Sequence, residues 1–156
     1  MVVDATLELG RLARLRNAIA SAGCQAGVFY DPVNIRYATG TSNMQVYSLH
    51  TPCRYIFVPV DRPVVLFDFM GCAHLSAGRP SDDEVCDATS WYYFVPGPRT
   101  AELATRWVGE IAGLLGPARI VNRRAAIDRL DLLGLESLNV TTSLWSTGKP
   151  WQAWRG

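Results

Sequence analysis

The chain has 156 residues, 49% of them hydrophobic and 19% charged, with a formal net charge of +1. That balance suits one globular domain with a sizeable core and excludes a disordered chain. A charge this small exerts no long-range pull on nucleic acid or an anionic membrane surface, and no apolar run approaches the roughly 20 residues of a membrane span.

The opening "MVVDATLELGRLARLRNAIASAG" alternates apolar and charged residues and lacks a signal-peptide core, so a cytoplasmic location is expected. Within it, Leu12, Leu15, Ile19 and Ala22 recur three or four apart, which predicts a helix closed by a left-handed Gly23. "QAGVFY" reads as a buried strand stopped by Asp31-Pro32, since proline cannot donate to a sheet ladder. "NIRYATG" is compatible with a short helix or a strand. "RYIFVPV", a turn at Asp61-Arg62-Pro63 and "VVLFDF" predict a hairpin whose near-continuous apolar runs are covered on both faces.

"GCAHLSAG" suggests a short helix, and "VCDATSWYYFV" a strand ended by Pro96-Gly97-Pro98. Thr100 is placed to cap a helix carrying Leu103, Trp107, Ile111 and Leu114 and ending at Gly116-Pro117. "ARIVN" then reads as a strand, "RAAIDRLDLLG" as a last helix and "LNV" as a last strand. Alternation of this kind implies a layered α/β domain, and the hairpin makes its sheet mixed.

Chemistry is sparse. The four cysteines, at 24, 53, 72 and 86, form no C-x-x-C pair and no metal-type spacing, so they read as structural thiols. The only histidines are His50 and His74. The nearest nucleophile to His74 is Cys72, two positions away, which a helix would turn to another side. Asp82-Asp83-Glu84 reads as solvated loop charge, and Trp91, Tyr92 and Tyr93 as strand packing rather than a stacking platform. No dinucleotide or P-loop glycine pattern is present. An unrelated hydrolase built on His50 or His74 therefore has little to support it.

The order helix "RLARLRNAIASAG", then "AGVFYDPVNIRYATG", then a hairpin resembles the amino-terminal domain of the creatinase, prolidase and aminopeptidase P family. In that family a sequence of the form Asn-Ile-Arg-Tyr-x-Thr-Gly follows the first strand, and Asn34 to Gly40 matches it throughout. The longer run "DPVNIRYATGTSNMQVYSLHTP" is similar to the branch that includes dimethylsulfoniopropionate lyase and creatinase-like proteins.

The resemblance implies a three-layer α/β domain, a mixed sheet flanked by helices in a ribonuclease H-like layout, over residues 1–141. Residues 142–156 form an atypical tail. "TSLWSTGKPWQAWRG", with Trp145, Trp151 and Trp154, departs from the R-x-I-K-x-x-x-E pattern by which relatives enter their next domain. A truncated gene, a frameshifted end or an artificial boundary would each account for it. Family members carry catalysis in a following pita-bread domain, whose two aspartates, histidine and two glutamates hold a divalent metal pair, although creatinase keeps the fold without metal. The expectation for this chain is thus a non-catalytic domain without a cofactor of its own.

The resemblance further implies a homodimer in which such domains lend side chains to a substrate pocket shared with the partner. A peptide or small-molecule substrate would bind only where a catalytic domain is present. Arg36 and Arg54 are candidates for a fixed cation, since a guanidinium can take a carboxylate bidentately. Asn43, Gln45, Tyr47 and His50 are their polar neighbours in a loop, where function often resides. Asn34, Tyr37 and Gly40 are expected to hold the motif structurally, because an Asx side chain after proline is a usual turn-former. Apolar surface left by an absent catalytic half predicts self-association, with the tryptophan-rich tail as one route. The rival expectation is a free-standing binding or assembly module with no enzymatic partner, and on either reading neither nucleic acid nor membrane is an expected partner.

Overall fold

A computed structural model describes residues 5–78, 84–92, 95–116, 124–130, 134, 136 and 137. Helix α1 (Ala5–Ser21) is followed by β1 (Ala26–Phe29), α2 (Pro32–Thr39) and α3 (Gln45–His50). The hairpin β2 (Tyr55–Pro59) and β3 (Val65–Asp68) leads to a 3-10 turn at Ala73–Leu75 and to β4 (Glu84–Asp87). A second 3-10 turn, Gly97–Arg99, opens α4 (Thr100–Leu115), and β5 (Ala125–Ile127) follows.

Among the described residues, the five strands lie in the order β4-β3-β2-β1-β5. β2 runs antiparallel to both β1 and β3, whereas β5 pairs parallel with β1 and β4 parallel with β3. Because strand side chains alternate between faces, each strand feeds two cores. Tyr55, Phe57, Val65, Phe67, Val28 and Ala125 join Trp91, Trp107, Val108 and Ile111 on the α4 side. Ile56, Val58, Leu66 and Phe29 meet Leu12, Leu15, Ile19, Ile35 and Ala38 on the side of α1 and α2. This is the expected three-layer mixed sheet, and the double burial explains the near-continuous apolar runs of the hairpin. At Gly27 a methyl group would strike the Phe29 ring and Ile19, so glycine is what lets α1 lie close on β1.

The ambiguous "NIRYATG" is helical. Asp31 caps α2 by accepting from the Val33 N–H, Pro32 starts the helix, and Gly40 ends it in the left-handed region at φ 65°. Gly23 is likewise left-handed, at φ 70°.

Several elements differ from expectation. The "RAAIDRLDLLG" segment contributes strand β5 at Ala125–Ile127 rather than beginning a helix. Three apolar residues satisfy either period, and pairing with the open edge of β1 decides for the strand. Among the described residues of "VCDATSWYYFV", Val85, Cys86 and Asp87 lie in strand β4, which ends at Asp87. Trp91 instead leaves the sheet to stack on Tyr92 and approach Trp107 in the core. "GCAHLSAG" holds only the three-residue 3-10 turn. Thr100 is the first residue of α4 rather than its cap, and its hydroxyl donates to the Gly97 carbonyl. Ala22 is exposed beyond the end of α1, and Leu115, rather than Leu114, is the fully buried residue of the last turn of α4. "ARIVN", Tyr93, Asp82, Asp83, "LNV" and the tail 142–156 lie outside the described residues.

Candidate functional site

The family-like motif runs by way of α2 along one end of the strands, from the β1–β5 pair toward the β2–β3 hairpin. At its start, Asp128 just beyond β5 accepts from the backbone N–H groups of Tyr30 (2.8 Å) and Asp31 (3.1 Å) and from the Asn34 side chain (2.9 Å). Burial pushes the Asp128 carboxyl up, and nearby Asp31 adds to the rise, while these three donors oppose it. Asn34 therefore ties α2 to the end of β5. Tyr37 lies beneath the Arg11 guanidinium, 5.8 Å from its ring centre. Gly40 is packed against buried Glu8, whose carboxylate occupies the space a β-carbon would need.

At the motif's other end lies a polar centre beneath the 41–50 segment. Arg54 is 2% exposed and Asp68 is fully buried. The hairpin register pairs Tyr55 with Phe67, so one step outward sets Arg54 opposite Asp68. The Arg54 Nε donates to Asp68 Oδ1 at 3.1 Å, and Nη2 donates to the hydroxyls of Thr41 (2.6 Å) and Ser76 (3.1 Å). Asp68 also accepts from Asn43 Nδ2 (2.9 Å), the Phe69 N–H (2.8 Å) and the Ser76 hydroxyl (2.6 Å). Thr39 and Thr41 share a hydroxyl contact of 2.7 Å that joins the end of α2 to this centre. A buried pair of this sort depends on having its remaining donors and acceptors satisfied, as here.

Above the centre, α3 and the turn after β3 present a mixed surface. Met44, Val46, Tyr47, Leu49, Met70 and Leu75 are exposed, Val46 by 78% and Met70 by 70%. The Tyr47 ring meets Phe69 edge-on at 6.3 Å. Met44, at φ 45°, is the one non-glycine residue with positive φ among the described residues, and its side chain does not cap α3. Such backbone conformations cost energy and persist where surroundings dictate them.

The sequence-derived site residues thus part company. Arg36 is exposed on α2, Gln45 is half-buried at the start of α3, and Tyr47 and His50 are exposed along it. Asn43 is half-buried with its amide on Asp68. Arg54, expected to offer a cation to substrate, is instead enclosed and committed to Asp68, Thr41 and Ser76. A buried guanidinium needs a carboxylate partner, and the hairpin supplies one. Asp68, Thr41 and Ser76 were not anticipated. The available signal was a pair of opposite charges bounding the two apolar runs of the hairpin.

The other reactive groups are quiet. His74 Nδ1 lies 3.1 Å from the Gly71 carbonyl in its own turn. Burial pushes up the thiols of Cys24, Cys53 and Cys86, which disfavours the nucleophilic thiolate. Burial likewise pushes up the Tyr30 and Tyr55 hydroxyls. Among the described residues, no group of three or more His, Cys, Asp or Glu side chains is placed to hold a metal ion, so they do not fit a metal pair. No helix among them is long and apolar enough to cross a membrane.

Comparison with known proteins places this geometry in a family. The model of the creatinase/prolidase N-terminal domain matches residues 11–112, more than half of the chain, and the chain belongs to that family. It is 31% identical over 128 residues to the dimethylsulfoniopropionate lyase DddP of Roseovarius nubinhibens, covering 82% of this chain and 29% of the relative. The DddP protein of Roseobacter denitrificans matches with the same identity and coverage. The chain therefore spans less than a third of the length of these relatives.

Among solved structures, the fold is similar to the N-terminal domain of the cytoplasmic peptidase PepQ from Mycobacterium tuberculosis H37Rv, with a TM-score of 0.57 at 20% identity over 92% of this chain and 97% of that one. The N-terminal domain of an Xaa-Pro dipeptidase from Lactobacillus brevis also matches with a TM-score of 0.57, at 16% identity over 92% of this chain and 96% of that one. Those two likenesses concern the fold.

Proposed function

We propose that this chain acts as the non-catalytic amino-terminal domain of a creatinase- or Xaa-Pro-peptidase-like protein, pairing with a partner subunit and completing a substrate pocket shared with it. The observation that carries this reading is the set of exposed apolar side chains on α3 and the turn after β3, Val46, Leu49, Met70 and Leu75, with Tyr47 and His50 exposed on α3 and the two segments joined by the Tyr47–Phe69 ring contact. Apolar side chains grouped at one surface mark an interaction site more often than scattered ones do. The occupant in this reading is a second copy of the parent protein; the match covers 29% of the DddP relative, so a parent of that length would have further surface with which to cover this face.

In this reading Arg36, Gln45, Tyr47 and His50, with Asn43 at the margin, meet the substrate or the partner. Arg36 supplies a cation for a carboxylate. The parent's chemistry is hydrolysis of a C–N bond of the Xaa-Pro type, or a lyase reaction such as the name of the DddP relatives describes. Any divalent metal pair belongs to another part of the parent, and the setting is cytoplasmic.

Sedimentation of the purified chain tests the pairing. A concentration-dependent dimer weakened by Val46→Asp is the expected result, and a strict monomer at high concentration counts against it. The chain by itself is expected to be inert toward Xaa-Pro dipeptides and dimethylsulfoniopropionate. Turnover abolished by His50→Ala would overturn the non-catalytic assignment.

A further inference from the structure

Residues 43–54 form a loop whose two ends meet on one atom. Asn43 donates its amide to Asp68 Oδ1 at 2.9 Å from the amino-terminal end, and Arg54 donates Nε to the same oxygen at 3.1 Å from the carboxy-terminal end. Between them lies α3, only six residues long, entered through left-handed Met44 and without a side-chain cap. A helix this short is not stable in water on its own, since nucleation fixes several dihedrals for each hydrogen bond gained. The hydrogen bonds that join the helix to its cap residues, Ser48 N–H to Met44 O and Thr51 N–H to Tyr47 O, are both 2.8 Å, and a helix so short keeps them only if the loop is held closed from outside.

We propose that Asp68 is a positioning residue that clamps the ends of the 43–54 loop, with Arg54 as its buried counter-charge, and so sets the surface that α3 presents. Arg54 then acts on the proposed contact face from beneath, through Asp68, Thr41 and Ser76, without touching a ligand. The clamp also accounts for the positive φ of Met44, which sits directly after the tethered Asn43. Because Ser76 donates to the other oxygen, Asp68 Oδ2, the same carboxylate holds the turn carrying Leu75 in fixed relation to α3. The importance of this clamp for function rests on the shared-face reading above, while the clamp itself does not.

The test is residue-resolved amide hydrogen exchange on the full 156-residue chain, compared with Asn43→Ala and with the double variant Arg54→Met/Asp68→Leu. The double variant removes both charges together and leaves neither buried alone, which favours retention of the fold. The expected result in both is at least about tenfold faster exchange at the Ser48 and Thr51 amides, a shift of about 1.4 kcal/mol in local opening, while amides of β1 and β2 keep their wild-type rates. A purely stabilising role would move strand and loop amides together. Wild-type protection at Ser48 and Thr51 in the folded double variant would overturn the proposal. Should that variant not fold, Asn43→Ala decides by the same two amides. Self-association is measured alongside on the wild-type chain. A monomeric wild type would remove the shared-face reading and leave the exchange result to judge Asp68 independently.

Discussion

The two ends of α2 rest on two carboxylates that solve the same problem differently. Asp128, at the amino-terminal end, collects two backbone N–H groups and the Asn34 amide and has no cation among those hydrogen-bond partners. Asp68, at the carboxy-terminal end, collects an amide, a hydroxyl, a backbone N–H and a guanidinium. Neutral donors leave the burial cost of Asp128 only partly offset, so its carboxyl is pushed up. The full ion pair lets Asp68 sit wholly out of water. The contrast explains the motif between them. Asn34 faces one centre, Thr39 and Thr41 the other, and Gly40 makes the turn that connects them.

Breaking the charged centre should cost most. Asp68→Ala strands a buried guanidinium and Arg54→Ala a buried carboxylate, and either should lower unfolding free energy by about 3–5 kcal/mol. Urea denaturation of each, beside Arg54→Met/Asp68→Leu, measures this. The double variant should recover most of the loss. If the singles cost under about 1 kcal/mol, the pair is solvated in the native state and the contrast with Asp128 dissolves.

Gly40→Ala attacks the connection. The left-handed backbone alone costs roughly 1–2 kcal/mol for a residue with a β-carbon, and Glu8 must also move aside. Thermal denaturation should show the loss, with Glu8→Ala in the same chain restoring part of it. A Gly40→Ala chain as stable as wild type would mean that α1 yields freely at this point.

The smallest effect sharpens the comparison through pH. The folded-state value of Asp128 is raised, so the native protein holds that proton more tightly than the unfolded chain does. The resulting stabilisation is complete below the ordinary carboxylate value and disappears as pH rises through the raised one. Asp128→Asn lacks that titration. The stability difference between the two should therefore shift toward the variant as pH climbs through the mildly acidic range and then level off. Stability curves measured in parallel check the sign, and an opposite slope would mean that the three hydrogen-bond donors outweigh burial at Asp128.

Much of this molecule is written locally. The stripe of Leu12, Leu15 and Ile19, the Asp31-Pro32 start and Gly40 stop of α2, and the apolar hairpin each follow from periodicity or from a backbone requirement carried by a few adjacent residues. The Asn34–Gly40 match likewise pointed to the family without any knowledge of contacts. Tertiary structure alone decided the rest, because its causes lie far apart in the chain. Asn34 finds its acceptor 94 residues away, in a segment whose own pattern reads as helix until the edge of β1 draws it into the sheet. Arg54 reads as a free cation until the hairpin register sets it against Asp68. Whether a charged side chain is a surface contact or a buried clamp depends on the dielectric and the partners around it, and those belong to the folded chain rather than to any stretch of its sequence.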